Sequence, residues 1–236
     1  MEYPKISILV PVYKRNKFLS LLLFNLAQQK YPHHKITLII DECKSDEPFI
    51  QDVQKIRDMI KPIKLEHHVN NNRRSIGEKR NNLVKLCKTK IFAFMDSDDL
   101  YQPTYLTHSY EYLTSDKQIG VVGSDKMLFV YPRDNFKITY INCGDNVHMI
   151  HEATMVGFKK FFNSTCKFKR SSRGEGGNLF EGLKDHQVKI TDVRKCMICV
   201  CHDDNTVNKD MFNREDKTLD IPFEPSLKEF ILKCSE

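Results

Sequence analysis

Lys90-Ile-Phe-Ala-Phe-Met-Asp-Ser-Asp-Asp-Leu100 joins an unbroken apolar run to three carboxylates within four residues. A short apolar run bounded by polar residues reads as a strand buried on both faces, as in a parallel sheet. The acids that end it repel one another unless a cation sits among them. Their hard oxygen donors suit Mg²⁺ or Mn²⁺. Taken alone, the stretch is equally an ordinary acidic turn, so its surroundings must decide.

Upstream, Ile6-Ser-Ile-Leu-Val-Pro11 is another such run, closed by proline, and Ile36-Thr-Leu-Ile-Ile-Asp41 ends on an acid. Residues 64–69 form a shorter one. Between them, residues 17–30 place Phe18, Leu19, Leu22, Leu23 and Leu26 at helical spacing, and residues 49–60 and 76–87 are amphipathic in the same way. Strands alternating with helices across short links predict a parallel α/β sheet. Ligands of such sheets bind beyond the carboxyl ends of the strands. Pro11, Asp41 and Asp96 all fall at strand ends, so that edge is the expected site.

Downstream, residues 105–113 read as a helix, and residues 119–122, 127–131 and 136–141 as strands. Residues 148–162 mix periods and receive no assignment. Residues 170–177 form a Ser/Gly-rich loop, residues 180–189 a helix and residues 196–201 a last buried strand. The charged segment from 209 reads as a tail ending in a helix over residues 226–233. The expected organisation is one α/β domain over residues 1–208, with a nucleotide-binding half (1–101), an acceptor-binding half (102–208) and the tail 209–236.

With 40% hydrophobic and 29% charged residues among 236, the composition is that of a globular protein, and no apolar run approaches the ~20 residues of a membrane span. No leader-like start is visible, so the expectation is a cytoplasmic chain whose eight cysteines are free thiols. Cys196-Met-Ile-Cys199-Val-Cys201-His202 has zinc-like spacing. Its apolar, glycine-free character favours a strand carrying buried thiols, with Cys199 and Cys201 on one face and His202 on the other. The net charge of +6 favours an anionic ligand such as a nucleoside diphosphate. The basic cluster Lys159, Lys160, Lys167, Lys169, Arg170 and Arg173 lacks interleaved aromatic platforms, so no nucleic-acid partner is expected.

Five stretches in this order resemble the family 2 glycosyltransferases. Ile8-Leu-Val-Pro-Val-Tyr-Lys-Arg15 is similar to the family's opening strand and turn. Leu38-Ile-Ile-Asp-Glu-Cys-Lys-Ser-Asp46 is similar to its second strand, Arg80-Asn81 to its Arg-Asn pair, Phe94-Met-Asp-Ser-Asp-Asp99 to its Asp-x-Asp motif, and His202-Asp-Asp-Asn-Thr206 to its late histidine segment. The resemblance spans roughly residues 5–208. It implies a GT-A fold: a single domain with a mainly parallel central sheet flanked by helices and a smaller mixed C-terminal part. It implies transfer of a sugar, with inversion, from a nucleoside-diphosphate sugar (a UDP sugar favoured) to a hydroxyl on a carbohydrate, lipid or protein. It implies Mn²⁺ or Mg²⁺ held by Asp98 and His202, with Asp99 in support. Asp41 would hold the nucleobase in a pocket shaped by Pro11 and Tyr13, while Arg80 and Asp96 would contact the nucleotide.

One departure stands out. The family's Glu-Asp pair, whose aspartate acts as base, corresponds here to Gly174-Glu-Gly-Gly-Asn178, with Gly176 at the aspartate's place. The resemblance then leaves Glu175 as the expected base and Asp185 as a fallback. The alternatives are a catalytically silent nucleotide-sugar or carbohydrate-binding module, for which Gly176 is the best support, and a metal-dependent nucleotidyltransferase, whose usual Gly-rich basic loop is absent.

Overall fold

The structure is a computed structural model that describes residues 2–235. A seven-stranded sheet forms its centre. β1 (Ile6–Val12) lies between β2 (Ile36–Cys43) and β4 (Ile91–Phe94), and β3 (Lys64–Asn70) continues beyond β2. All four run parallel. On the other side of β4 stand β9 (Val156–Phe158), β6 (Val121–Gly123) and β10 (Val188–Ile190). β9 is antiparallel to both neighbours, so β6 and β10 again run with β4.

Both faces of this sheet are covered, which is why its central strands read as continuous apolar runs. Ile8, Val10, Leu38, Ile40 and Ala93 pack with Leu22 and Leu26 of α1 (Leu19–Ala27), Ile56 of α2 (Val53–Met59) and Leu106 of α4 (Tyr105–Leu113). Leu9, Ile39, Phe92 and Phe94 pack on the opposite face with Leu83 and Val84 of α3 (Ile76–Leu86) and Phe162 of α5 (Lys159–Thr165). Ser75 starts α3 through a reciprocal capping box with Glu78, which satisfies two otherwise unpaired backbone donors.

A second, five-stranded sheet has the order β12 (Thr218–Leu219), β8 (Lys137–Asn142), β7 (Lys126–Tyr131), β11 (Met197–Val200), β5 (Leu100–Tyr101). The segment read as a tail is built into this sheet. It supplies β12, paired with β8, and α6 (Pro225–Ser235), whose Ile231 and Cys234 pack against Phe18 and Leu21. None of the helices among the described residues is long and apolar enough to cross a membrane.

The structure corrects several element readings. The expected helix over residues 180–189 is instead a turn containing Gly182 at φ 82°, followed by β10 on the open edge of β6. Edge pairing there satisfies a backbone ladder, which outweighs a weak helical pattern. The helix read over residues 49–60 is shorter, because Asp52 caps it by accepting a hydrogen bond from the Lys55 N–H at 2.9 Å. Residues 148–162, without assignment from periodicity, contain two 3-10 turns, then β9 and the start of α5.

Candidate active site

The expected edge exists, and two separate loops meet on it. Asp96 to Asp99 form the turn between β4 and β5. β11 pairs antiparallel with β5, Ile198 opposite Leu100, so extending that register brings residue 200 opposite residue 98. His202 follows directly, and its Nε2 lies 3.2 Å from Asp98 Oδ2 across 104 residues of sequence. Arg15, just after β1, donates from Nε to the same oxygen at 2.9 Å. Burial works to raise the Asp98 carboxyl, but the His202 hydrogen bond and the Arg15 charge outweigh it and hold it below its ordinary range.

Asp99 points elsewhere. It is 5% exposed, and its Oδ1 accepts the Val200 N–H at 3.1 Å. Burial, with Cys199 and the neighbouring acids adding, raises its pKa well above the ordinary value. Its support for the site is therefore structural: it joins β11 to the acidic turn. Asn25 of α1 secures the same turn, donating to the Asp99 carbonyl at 2.8 Å and accepting from the Tyr101 N–H at 2.9 Å.

Asp96 belongs to a second cluster. Arg80 donates from Nη2 to both of its carboxylate oxygens, at 3.0 and 3.1 Å. The same guanidinium places Nε 3.5 Å from Glu175 Oε1. Burial opposes the Arg80 charge, but Asp96, Glu175 and Glu152 outweigh it and lift its pKa above the ordinary value. Burial likewise raises Asp96 and Glu175, in both cases against Arg80. Arg80 thus links the expected donor side to the expected acceptor side.

Glu175 owes its place to a loop strapped onto α3. Asn81 donates to the Phe168 carbonyl at 2.9 Å and accepts the Phe168 N–H at 3.0 Å. The Gly77 N–H donates to the Ser171 carbonyl, and the Lys169 N–H to the Glu175 carbonyl, both at 2.9 Å. A Cβ on Gly77 would collide with the Lys169 carbonyl and come within 3.1 Å of Glu175 Cβ. Gly77→Ala is therefore expected to cost about 1–3 kcal/mol in urea unfolding, through overpacking. Wild-type stability in that variant would mean that the close approach does not exist.

Asp41 reaches the edge opposite Pro11 but is fully buried. Its carboxylate accepts hydrogen bonds from Asn70 and, at 2.7 Å, from Asn82. Burial raises its pKa against Asn82 and Lys79. Asn70 and Asn82 thus engage both oxygens of the Asp41 carboxylate. Tyr13 stands nearby with the Arg73 guanidinium 4.7 Å from its ring centre. The fallback acid Asp185 is not brought to the cluster. It precedes β10, on the amino-terminal side of the sheet, and lies 3.8 Å from His148.

Several neighbours escaped the sequence reading. For Arg15, its charge and its place just after β1 are the signals that the sequence carries. Lys209 is raised above its ordinary pKa by Cys199 and Asp99, working against burial. Nothing in its local sequence marks it. Glu152 lies in the segment that periodicity left unassigned.

A parallel-centred sheet with acids at its carboxyl edge and a second, smaller sheet beside it is the arrangement of the GT-A fold. The chain belongs to the family described as Glycosyltransferase like family 2, which it matches over residues 4–160. It is 31% identical over 96 residues to the poly(ribitol-phosphate) beta-N-acetylglucosaminyltransferase TarS of Staphylococcus aureus (strain Mu50 / ATCC 700699), covering 40% of this chain and 16% of that protein. It is 32% identical over 96 residues to the processive diacylglycerol beta-glycosyltransferase of Mycoplasma genitalium, covering 41% of this chain and 28% of that protein. Among solved structures it resembles the mannosyltransferase PcManGT from Pyrobaculum calidifontis in complex with GDP-Man and Mn²⁺, with a TM-score of 0.66 and 18% identity over 85% of this chain and 57% of that one. It also resembles S. aureus TarS in complex with UDP-GlcNAc, with a TM-score of 0.66 and 15% identity over 85% of this chain and 60% of that one. These structural likenesses concern the fold. The chain spans less than two thirds of the length of each of these proteins, and under a third of the two sequence relatives.

Proposed function

We propose that this chain transfers a sugar from a nucleoside-diphosphate sugar, a UDP sugar in the favoured case, to a hydroxyl acceptor, with inversion and with Mn²⁺ or Mg²⁺. The observation that carries the reading is the meeting of Asp98 Oδ2 and His202 Nε2 at 3.2 Å. The ionised Asp98 oxygen and the His202 imidazole nitrogen are the donors that would hold such an ion, once Arg15 and Asn205, each 2.9 Å from one of them, yield them. Among the described residues no group of three or more His, Cys, Asp or Glu side chains could hold a metal ion, so in this reading the ion would depend on the sugar donor's own oxygens together with Asp98 and His202. When bound, the ion would supply charge stabilisation to the departing diphosphate.

The chain's own groups take the remaining parts in this reading. Arg15 holds the Asp98 carboxylate ionised and oriented. Asp96, steadied by Arg80, faces the nucleotide. Pro11, Tyr13 and the Asp41–Asn70 pair form the base side. The acceptor's proton passes to a carboxylate on the Glu175 side, because a hydroxyl is a weak nucleophile until its proton is taken. The UDP-GlcNAc complex of TarS supports a UDP sugar, and the Mn²⁺ complex of the mannosyltransferase supports a divalent ion.

A thermal-shift panel of UDP, GDP and dTDP sugars with Mn²⁺ or EDTA tests the reading. A ligand at 100 times its Kd adds about 2.7 kcal/mol, or about 5–10 °C for a chain of this size. The expected result is a shift of that order for one donor, lost in EDTA, with free nucleoside diphosphate released on turnover. Release of pyrophosphate would overturn it in favour of nucleotidyl transfer. Absence of any shift would remove donor binding.

A further inference from the structure

Gly176 takes the place of an expected acid, and the structure puts another carboxylate in the space beside it. A Cβ built on Gly176 would fall on the Glu152 carboxylate, 2.7 Å from its Cδ and 2.9 Å from its Cγ. Position 176 therefore cannot bear a side chain while Glu152 holds its present pose. The two sites are complementary: one lacks a side chain, and the other fills the volume with an acid.

Glu152 is presented there by the active-site turn itself. The Tyr101 hydroxyl accepts the Asp96 N–H at 2.8 Å and donates to the Ala153 carbonyl at 3.0 Å. The Phe94 N–H donates to the Met155 carbonyl at 2.9 Å, and the His151 N–H to the Ser124 carbonyl at 2.8 Å. Residues 151–155 are thus pinned to the ends of β4 and β6, beside Asp96. The Glu152 side chain is half-buried, and no hydrogen bond engages its carboxylate among the described residues. Glu175 Oε1 lies 3.5 Å from Arg80 Nε, a buried nitrogen with no hydrogen-bond partner among the described residues, and the Arg80 side chain is only 3% exposed.

We propose that Glu152 is the general base that accepts the acceptor's proton, and that Glu175 acts through Arg80 as a positioning residue. In that step the acceptor oxygen bonds to the anomeric carbon and the carbon–oxygen bond to the diphosphate breaks. The diphosphate leaves with the bonding electron pair, and the hydroxyl proton passes to the Glu152 carboxylate. The proposal rests on the sugar-transfer reading, so wild-type nucleoside diphosphate release is measured first, with water as acceptor and the donor chosen by thermal shift.

Glu152→Gln keeps the shape and removes the basic oxygen. Its kcat is expected to fall about 10²–10⁴-fold, with the donor's thermal shift unchanged. The acidic limb of the kcat–pH profile should disappear in that variant. Glu152→Ala is expected to lose the same activity, and Glu152→Ala combined with Gly176→Asp to recover at least tenfold of it, because the vacated volume admits the new carboxylate. Wild-type kcat in Glu152→Gln would overturn the base assignment and leave sugar transfer standing. So would a double variant no faster than Glu152→Ala. No release by the wild-type chain would overturn both readings together.

Discussion

Asp98→Ala is expected to lower nucleoside diphosphate release by about 10³-fold or more, and to abolish the Mn²⁺-dependent part of the donor's thermal shift. Removing a single preorganised donor to a developing charge already costs about 10²–10³ in kcat. Asp98 acts at one remove, because its carboxylate would hold the cation that takes up that charge. It is the carboxylate that shares an oxygen with both His202 and Arg15. Its substitution removes the anionic half of the proposed cation site and leaves Arg15 and His202 facing each other. The side chains of Asp98 and Arg15 are each 17% exposed, so water can reach the gap and the fold should survive. Circular dichroism and an unfolding midpoint within a few degrees of wild type would establish that. Asp98→Asn, which keeps the shape, should lose nearly as much. Wild-type turnover in either variant, insensitive to EDTA, would remove the metal from the mechanism.

Arg80→Ala carries the largest expected cost in stability, about 3–5 kcal/mol near neutral pH. The guanidinium lies against the Phe94 ring, 5.0 Å from its centre, and its charge balances Asp96, Glu175 and Glu152. Without it, carboxylates remain in a buried setting with no opposing cation. Their folded-state pKa values, already raised for Asp96 and Glu175, move further above the unfolded ones. A carboxylate with a raised folded pKa binds protons more readily in the folded state, so folding gains stability as pH falls through that pKa. The deficit should therefore be smaller at pH 5 than at pH 8 in urea denaturation. Asp98 does not confuse the comparison. Its pKa is depressed, so its contribution is lost only below about pH 4. A loss under 1 kcal/mol, or a deficit independent of pH, would show that Arg80 does not balance these charges.

Most of the fold of the first hundred residues was legible because its signals are local. Ile6 to Val10, Ile36 to Ile40 and Ile91 to Met95 announce strands buried on both faces by composition alone. Leu22 and Leu26, or Leu83 and Val84, announce helices by spacing. The acids and the proline at the strand ends mark the edge without any long-range information. The part of the chain after β5 was less legible. β9 and β10 are three residues each, too short for a periodicity to declare itself. They exist because β4 and β6 offer backbone partners.

The candidate site divides along the same line. By itself the sequence determined that Asp96, Asp98 and Asp41 end strands of one parallel sheet, because an apolar run and the polar residue that stops it are neighbours in the chain. Only the tertiary structure decided that Asp99 turns inward to Val200 and that Glu152 stands in the space beside Gly176, and the 3.2 Å approach of His202 to Asp98, which the resemblance implied, is likewise made in three dimensions. These are matters of register between distant strands, where a slip of one residue sends a side chain to the opposite face. Such registers are settled by packing and hydrogen bonding across the whole domain, and no local pattern encodes them.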